Sequence, residues 1–232
     1  NLNHPKSMHI SKVKVYNFRL LKESVLDLED QEEKNLSLLI GKNNSGKTSF
    51  IMMFDKFLKA SSKFNFDDFS LKLRKQILDI NEETNTCEIS IKLIIEIIYS
   101  DNDSLKNLSD LILDLDPDQN KVKILFECQI DKQKILADLI NIKENRERFI
   151  KKELSNYLNS KIYVFHNDDH LDDVDRSNFI EKDIKAINSL INFQVIHAKR
   201  SVASSESNGN SGKVLSSMAS SYFNKKFENK NI

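Results

Sequence analysis

Residues 38–50 read LLIGKNNSGKTSF and set Gly41, Gly46, Lys47 and Thr48 at the spacing G-x-x-x-x-G-K-[ST]. Only four glycines occur in the 232 residues, and the other two, Gly209 and Gly212, fall in a serine-rich stretch. Glycine lets backbone approach closely, so the amides between Ile40 and Ser49, Ser45 among them, can converge on phosphate oxygens, with the positive end of a following helix behind them. Lys47 adds a mobile cation for the β and γ phosphates, and the Thr48 hydroxyl suits magnesium. Phosphoryl transfer asks chiefly for neutralisation and positioning of charge, which makes Lys47 the expected catalytic group. A nucleoside triphosphate and magnesium follow as cofactors. The motif itself does not choose between ATP and GTP.

Other groupings carry weaker chemistry. His166, Asp168, Asp169 and His170, followed by Asp172, Asp173 and Asp175, have types that could ligate manganese or zinc, yet acidic clusters between strands are usually solvated loops. LILDLDP at 111–117 imitates an apolar strand ending in Asp114 or Asp116, but Leu105, Leu108, Ile112 and Leu115 fit a helix face better. IYVFHNDD is a second imitation ending in Asp168 and Asp169. Lys143, Arg146, Arg148, Lys151 and Lys152 alternate with Glu144, Glu147 and Glu153, which favours a solvated helix with i,i+4 ion pairs over a DNA-binding stripe. No Ser/His/Asp or Cys/His set emerges.

The elements that must position the glycine loop are legible around it. HISKVKVYNF and SVLDLE alternate apolar and polar residues as half-buried strands do, and NLSLLIG is a continuous apolar run expected to form the most buried, central strand. Phe50, Ile51, Phe54 and then Phe57 or Leu58 recur at helical spacing, so the loop is expected to join a strand to a helix. Further on, the patterns predict a helix over 67–80, a strand over 87–100, a short helix over 104–115 and a strand over 120–130, the two strands pairing antiparallel. A long charged helix over 132–158, a strand over 161–167, a helix over 180–191 and a strand over 192–199 complete the expected elements. SVASSESNGNSGK at 201–213 has linker composition. The last stretch reads as a helix with an uncovered apolar face, so more protein is expected beyond Ile232.

Thirty-five basic residues balance thirty-five acidic ones, so whole-chain charge announces no nucleic-acid partner. No apolar run approaches the roughly 20 residues of a membrane span, and the first residues lack a secretory signal, with Met8 as a natural start. Cys87 and Cys128 stand far apart, outside any ligand spacing, which suits a reducing, cytoplasmic setting and a buried structural role for both.

ISKVKVYNFRLLKESVLDLED followed by NLSLLIGKNNSGKTSFI resembles the N-terminal lobe of ABC-type ATPases of the SMC, RecF and OLD group, most of all the OLD family of ATP-dependent endonucleases and the related Gabija-type anti-phage ATPases. Residues 9–58 carry the resemblance. It implies an α/β P-loop NTPase fold, an ABC-type N-terminal lobe with a mixed sheet and inserted helices over 8–200, the insert spanning about 61–160, then a flexible linker over 201–214 and a further helical segment over 215–232. It also implies ATP and magnesium as cofactors, Arg19 approaching the nucleotide, Asn43 and Asn44 lining the cradle, and Gln194 or Arg200 at a γ-phosphate-sensing position. Partners implied are a second copy through the ATPase lobes, in a homodimer or higher homo-oligomer, DNA for the full-length protein, and a defence-system partner protein; no membrane is implied. The family's signature segment, Walker B strand, switch histidine and Toprim nuclease domain find no convincing counterpart here and are expected on protein beyond this chain. Two other classes compete: a RecF- or SMC-like repair ATPase, which would need a coiled coil, and a small self-contained P-loop kinase or GTPase with Asp114 or Asp168 on the magnesium.

Overall fold

A computed structural model of the chain describes residues 8–28, 37–59, 63–100, 108–109, 111, 120–142, 144–165 and 178–195. All of them belong to one compact unit, Asn1–Val195; the second unit, Ile196–Ile232, lies outside the described residues. So do the acidic cluster at 166–175, Asp114 and Asp116, Arg200, the serine-rich linker and the C-terminal helical segment expected from the sequence.

Six strands form one sheet in the order β2-β1-β3-β4-β5-β6. They are β1 (His9–Phe18), β2 (Leu21–Asp27), β3 (Ser90–Ile98), β4 (Lys121–Ile130), β5 (Leu158–Phe165) and β6 (Ile180–Lys182). Every pairing among the described residues is antiparallel, so the mixed sheet expected from the sequence is an antiparallel one here. β3 and β4 pair with each other as their patterns predict, and β3 also pairs along β1, which puts the two at the centre of the sheet. Their side chains explain that position. Ile91, Leu93, Ile95 and Ile97 with Val122, Ile124, Phe126 and Cys128 face one way, while Ile94 and Leu125 face the other, so both faces are apolar and both are buried.

The larger core lies on the first face. Onto it pack Met53, Phe57 and Leu58 of α1 (Lys47–Leu58), Leu73 and Ile77 of α2 (Leu71–Leu78), Ile135 and Leu139 of α3 (Lys132–Leu139), Ile150 of α4 (Arg146–Glu153) and Ile187 of α5 (Ile184–Leu190). On the opposite face Ile94, Leu125 and Phe165 meet Tyr16, Tyr163 and Phe179. Each large apolar side chain fully withdrawn from water contributes roughly 1.5–3 kcal/mol, so the sheet centre dominates the favourable side of folding.

Several expected elements differ, each for a local reason. Residues 37–42 form no strand: Leu38 and Ile40 are 77% and 84% exposed, and no described strand pairs with them. An apolar run becomes a central strand only when neighbours supply its ladder and its cover. The long helix expected over 132–158 is interrupted: α3 ends by Ile140 and α4 starts after Asn145, whose φ of 59° is left-handed, a conformation asparagine tolerates better than most residues. The helix expected over 67–80 starts only at Leu71, because Phe69 bridges to Phe18 of β1. The stretch expected as one helix over 180–191 is β6 followed by α5, divided at Asp183, whose side chain accepts from the Lys185 amide at 2.9 Å as an N-cap. Residues 192–195, the described part of the expected strand over 192–199, are not in a strand. Cys128 is buried as expected, but Cys87 is exposed.

Candidate functional site

The glycine loop leads directly into α1, whose first residue is Lys47. Gly46 occupies the N-cap position at φ 93°, a left-handed conformation that would strain any residue with a Cβ. A Cβ there would also come within 2.8 Å of Leu21 Cδ2, so this glycine both turns the chain and admits the first residue of β2. At Gly41 a Cβ would lie 2.7 Å from Ser45 Oγ, inside the curl of the loop. Asn44 is held at φ 63°. The second glycine is therefore imposed by its backbone geometry, whereas a Cβ at the first would meet only the tip of the Ser45 side chain, which can turn away.

The Lys47 ammonium folds back across the loop. Its Nζ donates to the carbonyls of Gly41 at 2.6 Å and Lys42 at 2.7 Å, and lies 3.3 Å from Ser45 Oγ. Behind it, the start of α1 has no side-chain cap and no acidic residue in its first turn. The first amides of a helix lack intrahelical partners, and the helix dipole adds positive potential there, so this end is electrostatically suited to an anion. Gly41, Asn43, Asn44, Ser45 and Thr48 are all solvent-exposed, while Lys47 and Ser49 are half-buried. A curled loop, an uncapped helix end and a lysine spanning the loop's mouth fit a polyphosphate. An exposed Thr48 hydroxyl in the first turn of the helix fits a magnesium ion bound with it.

The structure brings Arg19 to the flank of this loop. Arg19 stands in the turn between β1 and β2, at φ 53°, two residues before the Leu21 that touches Gly46. Its guanidinium binds Asp68 through Nε at 3.1 Å and Nη2 at 2.8 Å, and its Nη1 lies 3.2 Å from Met52 Sδ in α1. Gln194 is placed differently. It is exposed, beside Phe193, which stacks on Phe54 with ring centroids 5.6 Å apart. At 1.5 Å per residue, Phe54 lies about 9 Å along α1 from Thr48. Gln194 thus belongs to a segment docked on the middle of the loop's helix.

Sequence reasoning passed over Leu21 and Asp68. The helix expected over 67–80 places Asp68 in its first turn; the signal that finds it is the Asn65-x-x-Asp68 spacing of a capping box, realised here with both reciprocal bonds. Elsewhere on the surface, Glu147 and Lys151 form the expected i,i+4 ion pair on α4. Among the described residues, no group of three or more His, Cys, Asp or Glu is arranged to hold a metal ion. Nor is any described helix long and apolar enough to cross a membrane.

Among known families, the AAA ATPase domain family matches residues 8–231, nearly the whole chain. The chain belongs to that family. A more distant likeness is to Endonuclease GajA of Bacillus cereus (strain HuB5-5), 24% identical over 217 residues, covering 78% of this chain and 32% of that protein. The chain thus spans about a third of the length of this relative. An AAA ATPase domain implies nucleotide binding, usually with magnesium.

Proposed function

We propose that this chain is the ATP-binding P-loop lobe of an OLD-like ATP-dependent DNA endonuclease or of an ATPase that works with one, in bacterial defence against phage. The observation that carries this is the uncapped start of α1, with Gly46 in a left-handed turn before it and Lys47 Nζ bound to the loop carbonyls. The family match and the likeness to a protein named as an endonuclease support it.

In this mechanism the amides from Gly41 to Ser49 bind the triphosphate, with Asn43, Asn44 and Ser45 lining the loop. Lys47 exchanges its carbonyl partners for β and γ phosphate oxygens and neutralises charge that grows on the leaving group. The Thr48 hydroxyl would hold a magnesium ion, which would supply further charge neutralisation when bound. Arg19 flanks the loop from the β1–β2 turn, and Gln194 senses the nucleotide from the segment packed on α1. The ATPase lobe runs over residues 8–200, and two lobes from separate copies close on the nucleotide. DNA and a defence-system protein are partners of the whole molecule, which acts in the cytoplasm.

Binding of Mg·ATP and Mg·GTP, measured by calorimetry on the protein and on Lys47→Ala, tests this. Micromolar to millimolar ATP binding that is lost on substitution is expected. Equal affinity in both proteins would contradict the assignment. Vigorous turnover by this chain alone, abolished equally by Lys47→Ala and Asp114→Asn, would favour a self-contained kinase or GTPase instead.

A further inference from the structure

Asp68 is fully buried and holds together two elements that border the loop. Its Oδ1 accepts from Nε and Nη2 of Arg19, and its Oδ2 lies 2.9 Å from Lys56 Nζ in α1 and accepts from the Asn65 amide at 3.0 Å. The backbone repeats the tie. The Arg19 amide donates to the Asp68 carbonyl at 2.8 Å and the Ser70 amide to the Asn17 carbonyl at 2.9 Å, with Phe18 and Phe69 bridged between them. A buried carboxylate is costly unless its lone pairs are matched by cations and donors, and here four donors from three segments converge on it.

Two of those segments border the loop. The β1–β2 turn reaches Gly46 through Leu21, and α1 carries Lys47 and Thr48 at its start and Lys56 near its end. Arg19 has its three side-chain nitrogens engaged by Asp68 and Met52 and its guanidinium carbon 5.2 Å from the centre of the Phe18 ring. It is held by a fork whose geometry lysine cannot reproduce.

We propose that Asp68 is a positioning residue for the nucleotide site, acting through Arg19 to set the turn at Leu21 against Gly46 and so the shape of the phosphate loop. This rests on residues 41–49 being a triphosphate cradle. It makes a prediction of unusual sign. Removing a negative charge near an anion site should, by field alone, tighten binding; loss of positioning weakens it. Asp68→Asn is expected to bind Mg·ATP about tenfold more weakly, the size of an ordinary coupling energy between contacting residues. Arg19→Lys, which keeps the charge and loses the fork, should weaken it similarly, and the double variant should be no worse than either single one.

Calorimetric affinity for Mg·ATP, with thermal melts to confirm folding, reads all four proteins. Unchanged or tighter binding by Asp68→Asn, full affinity in Arg19→Lys, or losses that multiply in the double variant would each overturn the proposal. Should Asp68→Asn fail to fold, Arg19→Lys alone decides. If the unsubstituted protein and Lys47→Ala bind Mg·ATP equally, it is the cradle itself that fails, a result distinct from these.

Discussion

Along β3 and β4, isoleucine, leucine and phenylalanine side chains are buried on both faces of the sheet, whereas at residues 38–40 two leucines and an isoleucine lie exposed immediately before the glycine loop. The two runs have similar composition. What separates them is company: β3 has ladder partners on both sides, β1 and β4, while no described strand pairs with residues 38–40. The sheet centre therefore stores stability, and the loop region is built from two glycines, two asparagines, a serine and two lysines. Stability and site are spatially divided, and each can be perturbed with limited effect on the other.

The largest expected effect tests the stability side. Phe126→Ala in β4 removes a fully buried ring packed against Phe57 of α1 at a centroid distance of 5.7 Å. It should cost about 3–5 kcal/mol in chemical denaturation. Protein that remains folded should bind Mg·ATP with nearly unchanged affinity; an affinity loss matching the stability loss would erase the division between the two regions.

Gly46→Ala probes the boundary between them. A left-handed alanine costs about 1–2 kcal/mol, and its Cβ would press on Leu21. Stability should fall modestly in the same denaturation measurement while nucleotide binding falls severely, the reverse of the ratio expected for Phe126→Ala.

The two cysteines contrast the sheet centre with the exposed turn that leads into β3. Burial pushes the Cys128 thiol up from an ordinary 9.0 to about 12, whereas Cys87 is exposed. A thiol-specific alkylating reagent at neutral pH should label Cys87 alone, with Cys128 reacting only after unfolding, as mass spectrometry of the labelled peptides would reveal. Because the folded state holds the Cys128 proton more tightly than the unfolded chain, stability from this group is complete below about pH 9 and declines as the pH rises towards 12. Replacing Cys128 with alanine should flatten that part of the alkaline unfolding curve. An unchanged curve would mean that the thiol titrates alike in both states.

Much of this was legible in the sequence. β1 coincides with the alternating stretch HISKVKVYNF, and β3 and β4 lie within the two apolar stretches assigned to them, because alternation and β-branched density reflect burial directly. The helix after the glycine loop was legible because Phe50, Ile51, Phe54 and Phe57 recur at helical spacing. Residues 37–40 were misjudged, since hydrophobicity indicates an appetite for cover but not whether cover is at hand. The break between α3 and α4 depends on one left-handed asparagine, and the division between β6 and α5 on one capping aspartate, both short-range features that a helical period conceals. Asp68 escaped notice because its partners, Arg19 and Lys56, lie 49 and 12 positions away in sequence, and a buried ion pair leaves no periodic trace.

Amide hydrogen exchange of the protein with and without Mg·ATP addresses the central claim most directly, since it reads the backbone donors themselves. Slowed exchange across residues 41–50 with β3 and β4 unchanged is the expected result. Exchange at 41–50 that is indifferent to saturating Mg·ATP, or protection confined to another segment, would contradict a phosphate cradle at the start of α1.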